Sequence, residues 1–412
     1  MKILHTADWH LGKRLQEYSR LEEQKLVLDE ICQIADRENV DLVLLAGDIF
    51  DSYNPAHEAV ELLYKTLRRL SKNGSRPIIA ISGNHDSTQF VEAPDPLARE
   101  LGIFFYSRYD SVIPCGKMDS GVEILYSESG FVEIQLPQVD FPIRVILAPY
   151  ANEVSLRTYL GEENREEEFR KLLASKWQDL ADRYCDERGL NLFVGHFFFM
   201  KEGTPIAIGA EVEPESERPI LHVGGTQALF TENIPSQIQY AALGHLHRYH
   251  AVGHDSIPVV YSSSPLAYSF SEADQEKKVV LIEAEAGKPV SYQPIGLKQG
   301  RPLYRVKFDN LADTLAWLEA NPYCFVEITF VADESIDATT RKAIMKAHDG
   351  IVSLIPQLKN TGIQESFALH VDDLGKDMET LFRLYYQSEK GQEPNAHLLG
   401  LFKEIISQTD PT

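Results

Sequence analysis

The chain has 412 residues, 43% of them apolar and 25% charged, with a formal net charge of −22. That length predicts two or three domains, and the globular composition, free of low-complexity tracts, excludes a fibrous or disordered protein. No stretch approaches the roughly 20 apolar residues of a bilayer span, and the acidic balance speaks against strong autonomous nucleic-acid binding, though not against phosphodiester chemistry.

Met1-Lys2-Ile3-Leu4-His5 runs straight into the first motif and leaves no room for a signal peptide, so a cytoplasmic location is expected. Cys32, Cys115, Cys185 and Cys324 are widely spaced and form no C-x-x-C pair. Neither a disulfide framework nor a thiolate zinc site is expected, so any metal must be held by nitrogen and oxygen.

In chain order, residues 2–6 read as a strand and 21–35 as a helix with Leu28, Ile31 and Ala35 on one stripe. Residues 41–46 (DLVLLA) form a buried strand ending at Gly47. Asn54-Pro55 is expected to start a helix, Asn as its cap and Pro in its first turn, with Ala59, Leu62, Leu63, Leu67 and Leu70 inward. Residues 77–82 (PIIAIS) are a third strand, ending at Gly83. This strand–helix alternation implies a largely parallel sheet packed against helices.

The middle of the chain is richer in strands: a hairpin over 122–136 turning at Ser129-Gly130, and strands at 143–148, 191–194 and 239–243. Residues 162–184 form a charged helix whose Glu-rich start is a solvated face. Strands at 258–261 and 278–283 are expected to close a second sheet. After a change near 296–302, strands at 303–308, 324–331 and 352–358 alternate with helices at 310–320 and 337–347. From about 360 the chain is linker-like. Two amphipathic helices follow, one with Met378, Leu381, Phe382 and Tyr385 on a stripe, the other with Leu398, Leu401, Phe402 and Ile405.

The chemistry lies in short segments: Asp8-Trp9-His10, Gly47-Asp48-Ile49-Phe50-Asp51, Gly83-Asn84-His85-Asp86, Gly195-His196 and Gly244-His245-Leu246-His247. The first three follow predicted strand ends, where loops of an open α/β sheet converge on a crevice. Asp8 and His10, like His245 and His247, are spaced to enter one crevice, and a glycine ahead of Asp48 lets the backbone bend. One carboxylate can bridge two cations roughly 3.5 to 4 Å apart. Asn84 adds a neutral oxygen, and His196, His245 and His247 add imidazoles. Taken singly, each motif reads as a turn, a cap or a hydrogen-bonded core histidine. In combination they spell a dimetal phosphoesterase site.

This set of motifs, D-x-H, G-D-x-x-D, G-N-H-[DE], G-H and G-H-x-H, resembles the calcineurin-like metallophosphoesterases. His5-Thr6-Ala7-Asp8-Trp9-His10-Leu11-Gly12 narrows the likeness to the double-strand-break-repair nuclease family, as do Ser216-Glu217-Arg218, residues 240–247 and residues 264–272. The likeness covers most of residues 1–285 by motif and the remainder by layout. Ser263 departs from the glycine common before Ser-Pro in that family.

The resemblance implies an α/β four-layer sandwich, two mixed sheets flanked by helices, over residues 1–285. It further implies a small α+β capping domain at 296–359 and a helix pair at 360–412. It assigns one divalent ion to Asp8, His10, Asp48 and His247, and a second to Asp48, Asn84, His196 and His245, with Asp48 bridging. Carboxylate, amide and imidazole donors suit Mn²⁺ best, with Fe²⁺, Mg²⁺ and Zn²⁺ also compatible. His85 would contact the phosphate and protonate the departing oxygen, and Asp86 would orient it. Asp51 either braces the site or caps a helix.

By the same resemblance the substrate is DNA: duplex ends cut 3′→5′, and hairpins or single strands cut internally, in repair, recombination and replication. The helix pair would dock on the coiled-coil base of an ATPase partner. Two chains would pair through helices near 55–70 and 88–100, giving a homodimer within a heterotetramer. No G-x-x-x-x-G-K-[ST] occurs, so ATP binding through a P-loop is not expected. A small-molecule or nucleotide phosphohydrolase would use the same ligands, and a binding subunit that keeps the fold without the chemistry is the remaining reading.

Overall fold

The computed structural model describes residues 1–151, 156, 165–203, 228–253, 256–333 and 336–358, together with 380, 382, 383, 386, 394, 398–400 and 402. The chain divides into two compact units, Met1–Phe330 with Ala338–Ile355, and Val331–Asp337 with Pro356–Thr412.

The first unit is built on two sheets. One is 6-stranded, in the order Ser291–Gly296, Lys278–Glu283, Lys2–Thr6, Leu42–Ala46, Ile78–Ile81 and Ile103–Tyr106. The last four run parallel. The other is 8-stranded: His250–Val252, Val259–Tyr261, Tyr240–Gly244, Leu190–His196, Ile143–Ala148, Phe131–Gln135, Glu123–Glu128 and Gly116–Lys117. Its four central strands, from Val259–Tyr261 to Ile143–Ala148, are also parallel.

Alternation along each strand creates the layers. Leu42, Leu44 and Ala46 point between the sheets and meet the core that holds Val145, Leu147, Leu192 and Val194. Val43 and Leu45 point outward and pack with Leu28 and Ile31 of helix Leu21–Arg37 and with Leu63 and Leu67 of helix His57–Leu70. On the far side, Ile146 and Phe193 pack on Phe169, Leu173 and Trp177 of helix Arg165–Tyr184. Strands buried on both faces read as unbroken apolar runs, as here. Each buried aliphatic side chain stabilises by about 1.5–3 kcal/mol. The result is a helix–sheet–sheet–helix sandwich of the metallophosphoesterase kind.

Two expectations about elements need correction. Lys278–Glu283 does not join the second sheet; it lies antiparallel to Lys2–Thr6, with Ile3 opposite Ile282, in the first. A strand buried on both faces carries no sequence mark of the sheet it enters. The second helix begins at His57 rather than after Asn54, and its capping residue is Ala56, which offers no side-chain bond. Residues 51–54 are bent, and Asp51 is drawn to Lys13, 2.7 Å away, so the turn serves the neighbouring loops instead of the helix.

Strands Leu303–Phe308, Phe325–Ala332 and Ile351–Leu358 form a 3-stranded sheet with helices Leu311–Ala320 and Ala338–Ala347. Asn310 caps the first of these helices, its side chain accepting from Asp313 N at 2.8 Å. Leu303, Phe325 and Val352 pack against Leu15 and Phe270. Arg20, fully buried, donates to Glu23 and to the Ala267 carbonyl, and its guanidinium lies 5.1 Å from the Phe325 ring.

In the second unit, 380, 382, 383 and 386 are helical, as are 398–400 and 402, and the Phe382 and Phe402 rings stack with centroids 4.0 Å apart. The linker from 360, the stripe residues Met378, Leu381, Tyr385, Leu401 and Ile405, and Ser216-Glu217-Arg218 lie outside the described residues. Among the described residues no helix is long and apolar enough to cross a membrane.

Candidate metal centre

The site gathers where strands of both sheets end. The loops after Lys2–Thr6 and Leu42–Ala46 are zipped together by backbone bonds, Asp8 N to Gly47 O at 3.0 Å and His10 N to Asp48 O at 2.9 Å. Asp8, His10, Asp48 and His245 hold φ values of 54°, 42°, 49° and 105°. Left-handed backbone at non-glycine residues costs on the order of 1–3 kcal/mol each and concentrates at functional sites. Close approach explains two glycines. A Cβ on Gly47, itself at φ 88°, would lie 2.2 Å from His196 Nδ1, and one on Gly244 would lie 1.9 Å from the Ala46 oxygen.

Two clusters of donor atoms result. In the first, His10 Nε2 and His247 Nε2 face each other at 2.9 Å, and Asp8 completes a compact trio with them. In the second, Asn84 Oδ1 lies 3.0 Å from His196 Nε2 and 3.1 Å from His245 Nδ1. Asp48 Oδ2 stands between the clusters, 3.4 Å from His10 Nε2 and 3.4 Å from His196 Nε2. All of these side chains are buried.

The donor set fits divalent cations. The Ala46 carbonyl, which can only accept, takes the Nδ1 proton of His196 at 2.8 Å, turning the Nε2 lone pair into the site. Likewise Glu272 Oε1 lies 3.2 Å from His247 Nδ1, so the Nε2 edge of that ring is the one turned toward Asp8 and His10. Asp8 Oδ2 is buried without a hydrogen-bond partner among the described residues, an arrangement costly for a carboxylate unless a cation compensates it. Electrostatics point the same way. Burial lifts Asp8 to about 7 and drops His10 to about 3. Burial opposes charge on Asp48 and His196 too, but their mutual attraction prevails, holding Asp48 well below the carboxylate range and His196 up at about 9. A cation between these groups would take the place of that proton.

His85 enters the same crevice. Its backbone N donates to Asp48 Oδ1 at 2.9 Å, its Nδ1 to the Asp51 carbonyl at 3.1 Å, and its ring meets His10 edge-on at 4.9 Å. Asp86 does not reach the His85 ring as the motif implied. Its carboxylate accepts from the backbone N–H of Phe50 at 2.9 Å, Ile49 at 3.0 Å and Gly83 at 2.8 Å. It therefore clamps the Gly47 loop to the Gly83 loop, and the Asp51 backbone does the orienting. The Asp51 side chain lies beside the site, 3.6 Å from His10 Nδ1, rather than at a helix cap.

Sequence reasoning passed over several supports. Gln24 donates to the His10 carbonyl at 2.8 Å and the Trp9 carbonyl at 3.3 Å, and Tyr268 OH bonds the same Trp9 carbonyl. Lys13 pairs with Asp51, and Glu272 and Lys277 sit behind His247. A buried Gln or Glu in an amphipathic or loop segment carries no periodic signal. Ser263, the departure from glycine, has φ 85°, so the position does demand left-handed backbone. Its hydroxyl compensates, accepting from Lys278 N at 2.9 Å and donating to the Lys278 carbonyl at 3.1 Å.

Fold and donor set together define a calcineurin-like phosphoesterase, and the family of that description matches residues 1–249. Along its length the chain is similar to the SbcD component of the nuclease SbcCD from Bacillus subtilis, 33% identical over 99% of this chain and 98% of that one. The protein of the same name in Staphylococcus epidermidis is 28% identical over 99% and 98% of the two chains, and that of Rhodobacter capsulatus 31% identical over 72% and 69%. The chain belongs to this SbcD branch of the calcineurin-like phosphoesterase family.

Proposed function

We propose that the protein is the nuclease subunit of an SbcCD-type complex, hydrolysing phosphodiesters in DNA with two divalent ions, Mn²⁺ in preference. The carrying observation is Asp48 Oδ2, which lies 3.4 Å from an imidazole of each donor cluster, as a bridging carboxylate requires. Asp8, His10, Asp48 and His247 would hold one ion, and Asp48, Asn84, His196 and His245 the other. Bound there, the cations would lower the pKa of water and neutralise charge on the phosphoryl group.

The chain's own groups supply the rest. With Nδ1–H donated to the Asp51 carbonyl, the His85 ring is held so that Nε2 serves the substrate. As imidazolium it donates a hydrogen bond to a phosphoryl oxygen and then a proton to the departing sugar oxygen. Asp86 fixes the two loops that carry Asp48 and His85, so their spacing survives substrate binding. No covalent intermediate is needed.

Residues 1–285 form the catalytic domain in this reading, 296–359 a cap that helps seat duplex DNA, and 360–412 the segment that docks on the SbcC-type ATPase. The stacked Phe382 and Phe402 rings support a preformed helix pair for that contact. A basic surface on the ATPase would offset the net charge of −22. Exposed Tyr64 and Leu97, on the helices expected to pair two chains, support a homodimer. The substrates are duplex ends, cut 3′→5′, and hairpins or single strands, cut internally.

The test is a Mn²⁺-dependent panel of blunt duplex, hairpin DNA, nucleotides and a chromogenic diester, with and without the ATPase and ATP. Cleavage of DNA above nucleotides and diester is expected. Preference for nucleotides would make the protein a small-molecule phosphohydrolase, and metal binding without cleavage would make it a binding subunit.

A further inference from the structure

Behind the metal-facing edge of His247 lies a buried ion pair between Glu272, the last residue of the stretch 264–272, and Lys277. Glu272 is 1% exposed and Lys277 8%. Glu272 Oε1 accepts from His247 Nδ1 at 3.2 Å, Tyr268 N at 3.2 Å and Ser269 Oγ at 3.1 Å. Lys277 Nζ shares its three N–H groups among Glu272 Oε2 at 2.5 Å, the His247 carbonyl at 2.6 Å, Ser264 Oγ at 3.0 Å and Gln275 Oε1 at 3.3 Å. The lysine thus grips both the backbone of His247 and the carboxylate that grips its ring.

Stability alone does not account for such a pair. Removing two charges from water costs several kcal/mol per ion, and well-packed apolar residues in their place are often as stable or more so. What apolar residues cannot do is accept the Nδ1 proton. That bond fixes the tautomer, points the Nε2 lone pair at Asp8 and His10, and makes the imidazole a stronger donor. His196, on the opposite side of the site, is held instead by a main-chain carbonyl.

We propose that Glu272 is the positioning residue of the Asp8–His10–His247 cluster, aligning His247 for its ion, and that Lys277 holds Glu272 in place. This rests on the two-ion reading above. Glu272 touches no substrate; it acts through His247.

The test uses the full-length protein stripped of metal, titrated with MnCl₂ by calorimetry and by the paramagnetic resonance of free Mn²⁺. Two double variants keep the buried pair neutral: Glu272→Leu with Lys277→Met, which has no acceptor, and Glu272→Gln with Lys277→Met, whose amide oxygen still accepts from Nδ1. The first should weaken one of two Mn²⁺ sites by about 10- to 100-fold and leave the other within about twofold. The second should recover most of that loss. Thermal melting before metal addition checks that both fold. Equal Mn²⁺ binding by the two variants would overturn the proposal. So would parallel weakening of both ions in step with melting temperature, the mark of a merely structural role. Wild-type protein that binds fewer than two ions would sink the two-ion reading instead, so the two failures are distinguishable.

Discussion

The two halves of the metal site are assembled differently. In the His196 half the backbone does the holding: a strand end carries the histidine, the Ala46 carbonyl orients its ring, and Gly47 makes room for it. In the His247 half, side chains do the holding: Glu272 and Lys277 behind His247, Gln24 under the His10 loop, and Asp51 beside its ring. A carbonyl is present whatever the sequence, so the first half depends on glycines and strand ends. The second depends on residues far along the chain. The first half should therefore tolerate remote substitutions, and the second should be tunable by them.

The strongest way to break the comparison is to remove Asp48, whose Oδ2 stands 3.4 Å from an imidazole of each half. Asp48→Ala should lose both ions and reduce nuclease activity to background, measured by metal content and by Mn²⁺-dependent cleavage of duplex DNA. Retention of both ions would show that the halves do not meet at Asp48. His85→Ala should do the converse, keeping metal content at the wild-type level while kcat falls about 10²–10⁴-fold, the usual share of a general acid. Loss of metal in that variant would move His85 from catalysis into ligation.

Asp86→Ala sharpens the contrast between holding and reacting. Its carboxylate accepts backbone N–H bonds from Phe50, Ile49 and Gly83, and each bond to a charged group contributes about 1.5–3 kcal/mol. The variant should lose roughly 3 kcal/mol or more of folding stability in urea titration. Activity measured well below its melting temperature should fall less than in His85→Ala. Unchanged stability with lost turnover would return Asp86 to the catalytic role its motif implied.

How far the sequence could be read follows the same division. Apolar runs at 41–46 and 77–82, each ended by glycine, were enough to place strands and the loops after them. The strand-end motifs were enough to bring Asp8, His10, Asp48, Asn84, His196, His245 and His247 to one crevice. What was not legible is whatever tertiary contact decides. The sheet chosen by Lys278–Glu283 depends on edge pairing with Lys2–Thr6. The start of the second helix depends on residues 51–54 being bent around the site. Asp86 sits beside His85 in sequence yet faces other loops, because adjacent residues in a tight turn diverge. Glu272 sits 25 residues from His247, and nothing local in either segment announces the pair.

Ser263 offers the finest test, since it begins the stretch that carries Glu272 and Lys277. Its φ of 85° costs an L-residue about 1–2 kcal/mol, and its hydroxyl bonds to both backbone groups of Lys278 to offset that strain. Ser263→Ala keeps the strain and loses the bonds, so it should destabilise by about 1–2 kcal/mol. Ser263→Gly loses the same bonds but is released from the strain, so it should fall between the alanine variant and wild type. Thermal melting of the three proteins gives the order directly, wild type above Gly above Ala. An alanine variant as stable as the glycine variant would mean that left-handed backbone here is not held against a cost. The side-chain-held half would then be less strained than its geometry implies.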